Sequence, residues 1–355
     1  MTREDHGRRI ASNSKIRKLG RNSYAVPSET IPNHEYVVRL GKVGWVCECP
    51  DHAEKKSVCK HMHAVFVFRK PEARSIWHVP ETQCPRCLDK QTIPRGQSRY
   101  CKICNSRYVP YGIKSRFGLD TIIEGMNMVY SGSSLRKTEY ILAQRGIDVS
   151  HIGILKWLSK YGTMVDEYIK TLRPRVGDHW RIDEVYMSVA GVRMYAFHML
   201  DTETRYVIDS MVSENKGTDD VRPLFRSCMN IAGKKPYLLS SDGAGNFGEA
   251  WRDVYKQKNP RDMYTIHESK ARDKTPLHNN QMESWNGNTF RLREQGCRGL
   301  KRQDSVILAG IRIYHNFIRP HLALGGDVPA ERAGLRLEGV NGLKILVQNA
   351  AMQKK

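Results

Sequence analysis

Two Cys-x-x-Cys pairs, Cys84/Cys87 and Cys101/Cys104, are separated by thirteen residues and constrain this chain more than any other feature. Each short spacing lets two thiolates grip one ion, and the segment between the pairs must double back for all four to meet. With every position a cysteine, the site is expected to be a closed structural zinc centre. A second cluster lies upstream, Cys47-Glu48-Cys49 followed by Cys59-Lys60-His61. Tyr36–Leu40 and Trp45–Cys47 flank a Gly-rich turn and predict a hairpin, and Lys60–Arg69 predicts a helix. Two ligands at a strand end and two at a helix start can close a Cys₃His zinc site; His52 and His63 remain alternatives to His61. Of the nine cysteines, Cys228 is expected to pack in a helix and Cys297 is unassigned. Nothing suggests the oxidising compartment that a disulfide scaffold requires.

The C-terminal half carries a different pattern. Strand-like runs at Trp180–Val189, Met194–Leu200 and Tyr206–Val212 precede a helix signal at Thr218–Ala232. An apolar run, Pro236–Gly243, ends on Asp242. A helix (Phe247–Lys256), a short strand (Met263–His267), a basic loop and a late helix opening at His278–Asn286 follow. This order predicts an α/β RNase H-like domain with a mixed five-stranded sheet. Asp183 sits on the first strand, Asp242 ends the fourth and Glu283 lies on the late helix. Neighbouring strands and a crossing helix can bring the three together as hard oxygen ligands for divalent cations. Two such ions can stabilise both the attacking and the leaving oxygen of a phosphodiester.

The motifs around these acids resemble those of the insertion-sequence DDE transposases, which are related to retroviral-type integrases. Trp-Arg-Ile-Asp-Glu-Val-Tyr holds Asp183, Ser-Ser-Asp-Gly holds Asp242, and His-Asn-Asn-Gln-Met-Glu-Ser-Trp-Asn holds Glu283. The segment Tyr314–Gly325, with its Arg319-Pro320-His321, and the later Val328–Glu331 resemble that family's ending. The resemblance implies Asp183, Asp242 and Glu283 as catalytic residues binding two Mg²⁺ or Mn²⁺. The gap from Asp242 to Glu283 is a few residues longer than usual. Where many members carry a base two turns after the glutamate, this chain has Phe290, leaving Arg291 and Arg293 as candidate DNA-gripping residues. The first zinc cluster resembles a SWIM zinc finger and the second a zinc ribbon, which makes two structural zinc ions per chain.

Charge identifies the expected partner. The formal net charge is +21, which suits an acidic polymer. No run of about 18 apolar residues is present to span a bilayer, and no apolar core follows the N-terminal basic residues to make a secretory signal. No glycine-rich loop indicates nucleotide use. Between Gln91 and Gly118 there is no acid, while Arg95, Arg99, Lys102, Arg107, Lys114 and Arg116 alternate with tyrosines. Such a surface suits phosphate contacts and stacking. Helices predicted at Leu119–Tyr130, from Ser133–Leu135 to Arg145, and at His151–Tyr161 fit a helix-turn-helix. His151, Lys156 and Lys160 would then face DNA.

The expected division is a flexible basic arm (1–22), a SWIM-type finger (23–72), a zinc ribbon (80–112), a helix-turn-helix domain (117–172), a catalytic domain (178–335) and a C-terminal tail (336–355), with Leu172–Gly177 as the linker. The resulting expectation is an intracellular DNA transposase acting on double-stranded DNA, at terminal inverted repeats and at a target. It would work on chromosomal DNA in the cytoplasm as a homodimer or larger assembly. The alternatives are a non-catalytic DNA-binding regulator of transposase descent and an RNase H-like nuclease.

Overall fold

The computed structural model describes residues 2–353 except 14, 21–22, 42–43, 56, 69–73, 78–79, 88, 114, 243, 257–265, 270–279, 297–301, 303–304 and 340. Outside the described residues lie Lys114, the basic loop, His278–Asn279, Cys297, and the first three residues of the short strand expected at Met263.

Helix α1 (Arg3–Asn13) precedes a four-stranded antiparallel sheet of β1 (Arg17–Gly20), β2 (Ser23–Pro27), β3 (Glu35–Gly41) and β4 (Gly44–Cys47), then α2 (Pro50–Lys55) and α3 (Lys60–Phe68). The expected flexible arm is therefore part of a folded module. Ile10 is fully buried in a core with Val26, Val38, Met62 and Val65. Gly7 allows the close approach of α1 to α3, because a Cβ there would collide with the His63 side chain and the Lys60 carbonyl. On the same module Glu29 gathers Arg9, His6 and Lys60. Ile10, with Ala11 packed beside it, docks this helix from within a basic, polar stretch, and composition alone does not reveal that.

After β5 (Arg74–Trp77), an antiparallel meander of β6 (Thr92–Arg95), β7 (Ser98–Cys101) and β8 (Arg107–Tyr108) carries the two cysteine pairs. Helices α4 (Leu119–Tyr130), α5 (Leu135–Ala143) and α6 (His151–Trp157) follow. Ser134 and Ser150 cap α5 and α6 by accepting from the Lys137 and Gly153 amides, as N-cap serines do. The third helix does not stop at Tyr161. It passes through a π-helical segment (Leu158–Gly162) into α7 (Thr163–Lys170). Gly162 looks like a terminator in sequence. In the fold it keeps helical geometry and makes room for the Tyr130 hydroxyl.

The C-terminal half opens with β9 (His179–Val189), β10 (Val192–Asp201), β11 (Val207–Ser213), α8 (Thr218–Ala232), β12 (Leu238–Ser241), α9 (Gly245–Val254) and β13 (Ile266–Ser269). The sheet order is β11-β10-β9-β12-β13. The first three strands are antiparallel, and β12 and β13 run parallel to β9. This is the expected mixed five-stranded sheet. Side chains alternate across it. Ile182, Phe197 and Met199 share a core with Phe225 of α8 and Phe247 of α9. Val185 and Met187 pack on the other face with Met282, Trp285 and Phe290. Those three come from α10 (Asn280–Ser284) and the π-helical segment Trp285–Arg291 that continues it into α11 (Leu292–Gly296). Helix α12 (Val306–Ile313) then passes into a second π-helical segment, Tyr314–Ile318.

The expected tail is no tail. After α13 (Pro329–Arg332), β14 (Leu335–Glu338) pairs parallel with β5, and α14 (Gly342–Gln353) buries Leu343, Leu346, Val347 and Ala350. These residues join a core that also contains Ile122 and Met126 of α4, Val165 of α7 and Trp180 of β9. The expected linker is buried at Leu172, Pro174 and Val176. The helical region and the sheet therefore share one interior.

Two features lock that interior. Arg312 of α12, 7% exposed, pairs with Asp166 of α7 at 2.5 Å and Asp209 of β11 at 2.6 Å. Tyr130, fully buried, lies against Gly310 of α12 so closely that a Cβ there would fall within its ring. Gly310→Ala is accordingly expected to destabilise the protein by about 1–3 kcal/mol through overpacking. A thermal melt unchanged from wild type would refute this.

Candidate active site and zinc centres

Asp183 lies in β9, and Asp242 follows the last residue of β12. The parallel register sets Ser240 beside Arg181, so the two acids emerge at the same end of neighbouring strands. Carboxylate oxygens of Asp183, Glu184 and Asp242 all lie within 4.8 Å of one another. Burial first, and then Asp242, push the Asp183 carboxyl up to about 7, with Glu184 and Glu283 adding to the shift. Glu283, on α10, stands outside the 4.8 Å group but within electrostatic reach of Asp183.

Two neighbours complete the cluster. Asn286 donates from Nδ2 to Asp183 Oδ2 at 3.0 Å, and the Glu184 amide donates to Asp183 Oδ1 at 3.0 Å. Lys216 lies 3.7 Å from Glu184 Oε1, while Glu184 Oε2 is buried without a partner. Crowded carboxylates, one with an unpartnered buried oxygen, fit a divalent cation that takes oxygen ligands.

Sequence reasoning missed Asn286 and Glu184. Asn286 was visible as the last residue of the glutamate motif, three positions after Glu283 and hence on a neighbouring part of the helix surface. Glu184 does not match the acid positions of the resemblance; alternation sends it to the opposite face of the strand, yet its longer side chain brings its carboxylate to the cluster. Asp209, another acid on the sheet, is instead a structural partner of Arg312.

The zinc candidates also converge. Cys47, Cys49, Cys59 and His61 are all buried, with ligand atoms within 4.8 Å of one another. Neither buried His61 ring nitrogen has a hydrogen-bond partner, and an ion held with the three thiolates would take one of them. His52 instead points its Nδ1 at the Ser57 carbonyl, 2.8 Å away, and His63 edges the Phe66 ring. Cys84, Cys87, Cys101 and Cys104 form the second group within 4.8 Å. Their Cys84–Cys104 and Cys87–Cys101 sulfurs are 3.5 Å apart. That is far beyond a disulfide bond and near the ~3.8 Å of thiolates around one tetrahedral zinc.

The expected DNA contacts divide. Arg95, Lys102, Arg107, Lys156, Lys160 and Arg291 are exposed. Arg99 is half-buried and turned onto Thr92. His151 is held by Glu139 at 2.9 Å. Arg293 is a correction. It is 7% exposed, donates to the carbonyls of Tyr130 and Thr289 and stacks on Tyr314, so it braces the fold where Arg291 faces solvent.

Residues 177–321 match the DDE domain family. The chain is 29% identical over 136 residues to the transposase for insertion sequence-like element IS431mec of Staphylococcus aureus. It has the same identity to the transposase for insertion sequence element IS257 in transposon Tn4003 of that organism. Each match covers 38% of this chain and 59% of the relative's length. Among solved structures, the HTLV-2 integrase catalytic core domain in complex with magnesium aligns over 46% of this chain and 98% of that one, at 14% identity and a TM-score of 0.34.

Two predictions follow from this geometry. Purified protein is expected to hold two zinc ions, and His61→Ala is expected to lower the content to one by metal analysis; a value unchanged at two would reject His61 as a ligand. The second concerns Asp183. Its folded pKa is raised above the unfolded value near 3.8, so the metal-free protein loses stability as pH rises from about 4 to about 7. A cation that binds the carboxylate offsets that loss. Stabilisation by Mn²⁺ should therefore grow across this window in a thermal melt, and Asp183→Asn should flatten the growth.

Proposed function

We propose that this chain is a DNA transposase of the insertion-sequence type, a polynucleotidyl transferase that cleaves element ends and joins them to target DNA. The observation that carries the proposal is the meeting of Asp183 and Asp242 beside the helix that bears Glu283, within a segment matching the DDE domain family. Asp183, Asp242 and Glu283 are the catalytic carboxylates. They would hold Mg²⁺ or Mn²⁺, which when bound activates the attacking oxygen and stabilises the leaving one. Asn286 fixes the orientation of Asp183, and Glu184 adds negative charge to the same point. The SWIM-type finger, the zinc ribbon and the helix-turn-helix grip the DNA by phosphate contacts, most directly at Arg95, Lys102, Arg107, Lys156 and Lys160. Arg291 reaches the strand near the carboxylates. Joining a pair of ends requires at least two copies. The work is done inside the cell, on chromosomal DNA and at terminal inverted repeats.

The test is a metal-dependent cleavage and joining assay on DNA carrying the element's ends, run beside a binding assay. Asp183→Asn, Asp242→Asn and Glu283→Gln should each abolish cutting and joining while end binding persists, because an amide lacks the charge that Mg²⁺ requires. Double variants should be little worse than single ones, as residues acting as a unit are not additive. Glu184→Gln should give a smaller loss. Robust cutting by the Asp242→Asn protein would reject the proposal.

A further inference from the structure

Behind the carboxylate cluster, on the same side of the sheet, is a small open pocket lined by Arg205, Arg319, His321, His315, Trp285 and Gln281 among others. The helical turn that carries Glu283 and Asn286 to the carboxylates also contributes Gln281 and Trp285 to this pocket. The strand register links the two places. His198 lies directly opposite Asp183 in the sheet, and its ring is 5.3 Å from that of Trp285.

The chemistry of the lining is that of an anion site. One donor-bearing ring at the pocket is almost wholly buried and unbonded: Trp285, 2% exposed, has its Nε1 without a partner. His315, 4% exposed, donates from Nε2 to the Arg205 carbonyl at 3.0 Å, which fixes its ring at the wall. Arg319 donates to Thr289 Oγ1 at 2.9 Å, which steadies its guanidinium at the wall. No ion pair joins Arg205 or Arg319 to a carboxylate among the described residues. Burial and then Arg319, Arg205 and Arg293 push His321 down to about 4, so the charge around it is cationic. A buried donor and two unneutralised guanidinia in a concave site favour an anion with several acceptor oxygens.

We propose that this pocket binds one phosphate of the DNA strand whose neighbouring phosphodiester lies at Asp183 and Asp242. This rests on the transposase proposal for the identity of the strand, but the anion site itself does not. Arg205 and Arg319 hold the phosphate oxygens and the Trp285 indole N–H supplies a neutral donor. The contact fixes the strand by its backbone and carries no base sequence.

The experiment uses the full-length, zinc-loaded protein and two probes, inorganic phosphate and a short duplex of arbitrary sequence. Phosphate should raise the melting midpoint of the wild type above that in chloride of equal ionic strength. Arg205→Gln should lose that rise, and Arg205→Lys should keep most of it. In duplex binding, Arg205→Gln and Arg319→Gln should each lower the slope of log K against log salt by about 1, the change for one lost phosphate contact. Equal melting of the variants without phosphate would show that they fold. If Arg205→Gln keeps both the phosphate response and the full slope, the pocket is not an anion site. A lost phosphate response with an unchanged slope would identify a free phosphate as the occupant and overturn the DNA assignment. If both change but no cleavage of element ends is found, the pocket stands and the transposase proposal fails.

Discussion

The structure depends on one buried cation. Arg312 reaches from α12 to Asp166 on one side and Asp209 on the other. Burial opposes its charge, and the two carboxylates more than restore it, raising its pKa above the usual arginine value. Removing one partner of a buried pair costs about 3–5 kcal/mol, because the remaining charge is left uncompensated. The pairing joins α7 of the helical region to the edge strand β11 through a helix lying over the sheet. Around it, Arg293 ties the late helix to the Tyr130 carbonyl, and Gly310 lets α12 settle on the Tyr130 ring. The helix bearing Glu283 is thus held both by the sheet face it packs on and by a contact from the helical region.

Much of this was legible in the residues. The strands β9, β10 and β11, the helix α8 and the acid ending β12 all follow from alternation, turn residues and an amphipathic period. Both candidate zinc sets could be drawn from spacing alone, and of the histidines that spacing left open, it is His61 that the fold brings to the three thiols. What stayed hidden was long-range. Nothing near Ile10 announces that α3 will cover it. The apolar run in α14 identifies a buried helix only once its partners in α4 and α7 are known. Arg293 carries the same charge as Arg291, and only the three-dimensional fold turns one inward and leaves the other in solvent.

The candidate site shows the same division at closer range. Sequence order anticipated the meeting of Asp183 and Asp242, because acids on a first and a fourth strand that lie side by side in the sheet emerge together. Sequence could not supply Glu184, whose part depends on side-chain length. The cluster holds its carboxylates against their own repulsion, and the surrounding core supplies the rigidity that this requires.

The pairing of β14 with β5 joins segments far apart along the chain. A polypeptide made from its N-terminus releases β5 long before β14 leaves the ribosome. The N-terminal module, with its own core, can close early and independently. The strand that follows it stays without its sheet partner until synthesis has passed the whole five-stranded sheet and the helices after it. Pairings of such high sequence separation form late and slowly. A nascent chain can therefore present its basic modules to solution before the carboxylate site is braced, and a message cut short before β14 would yield those modules without the strand that docks them.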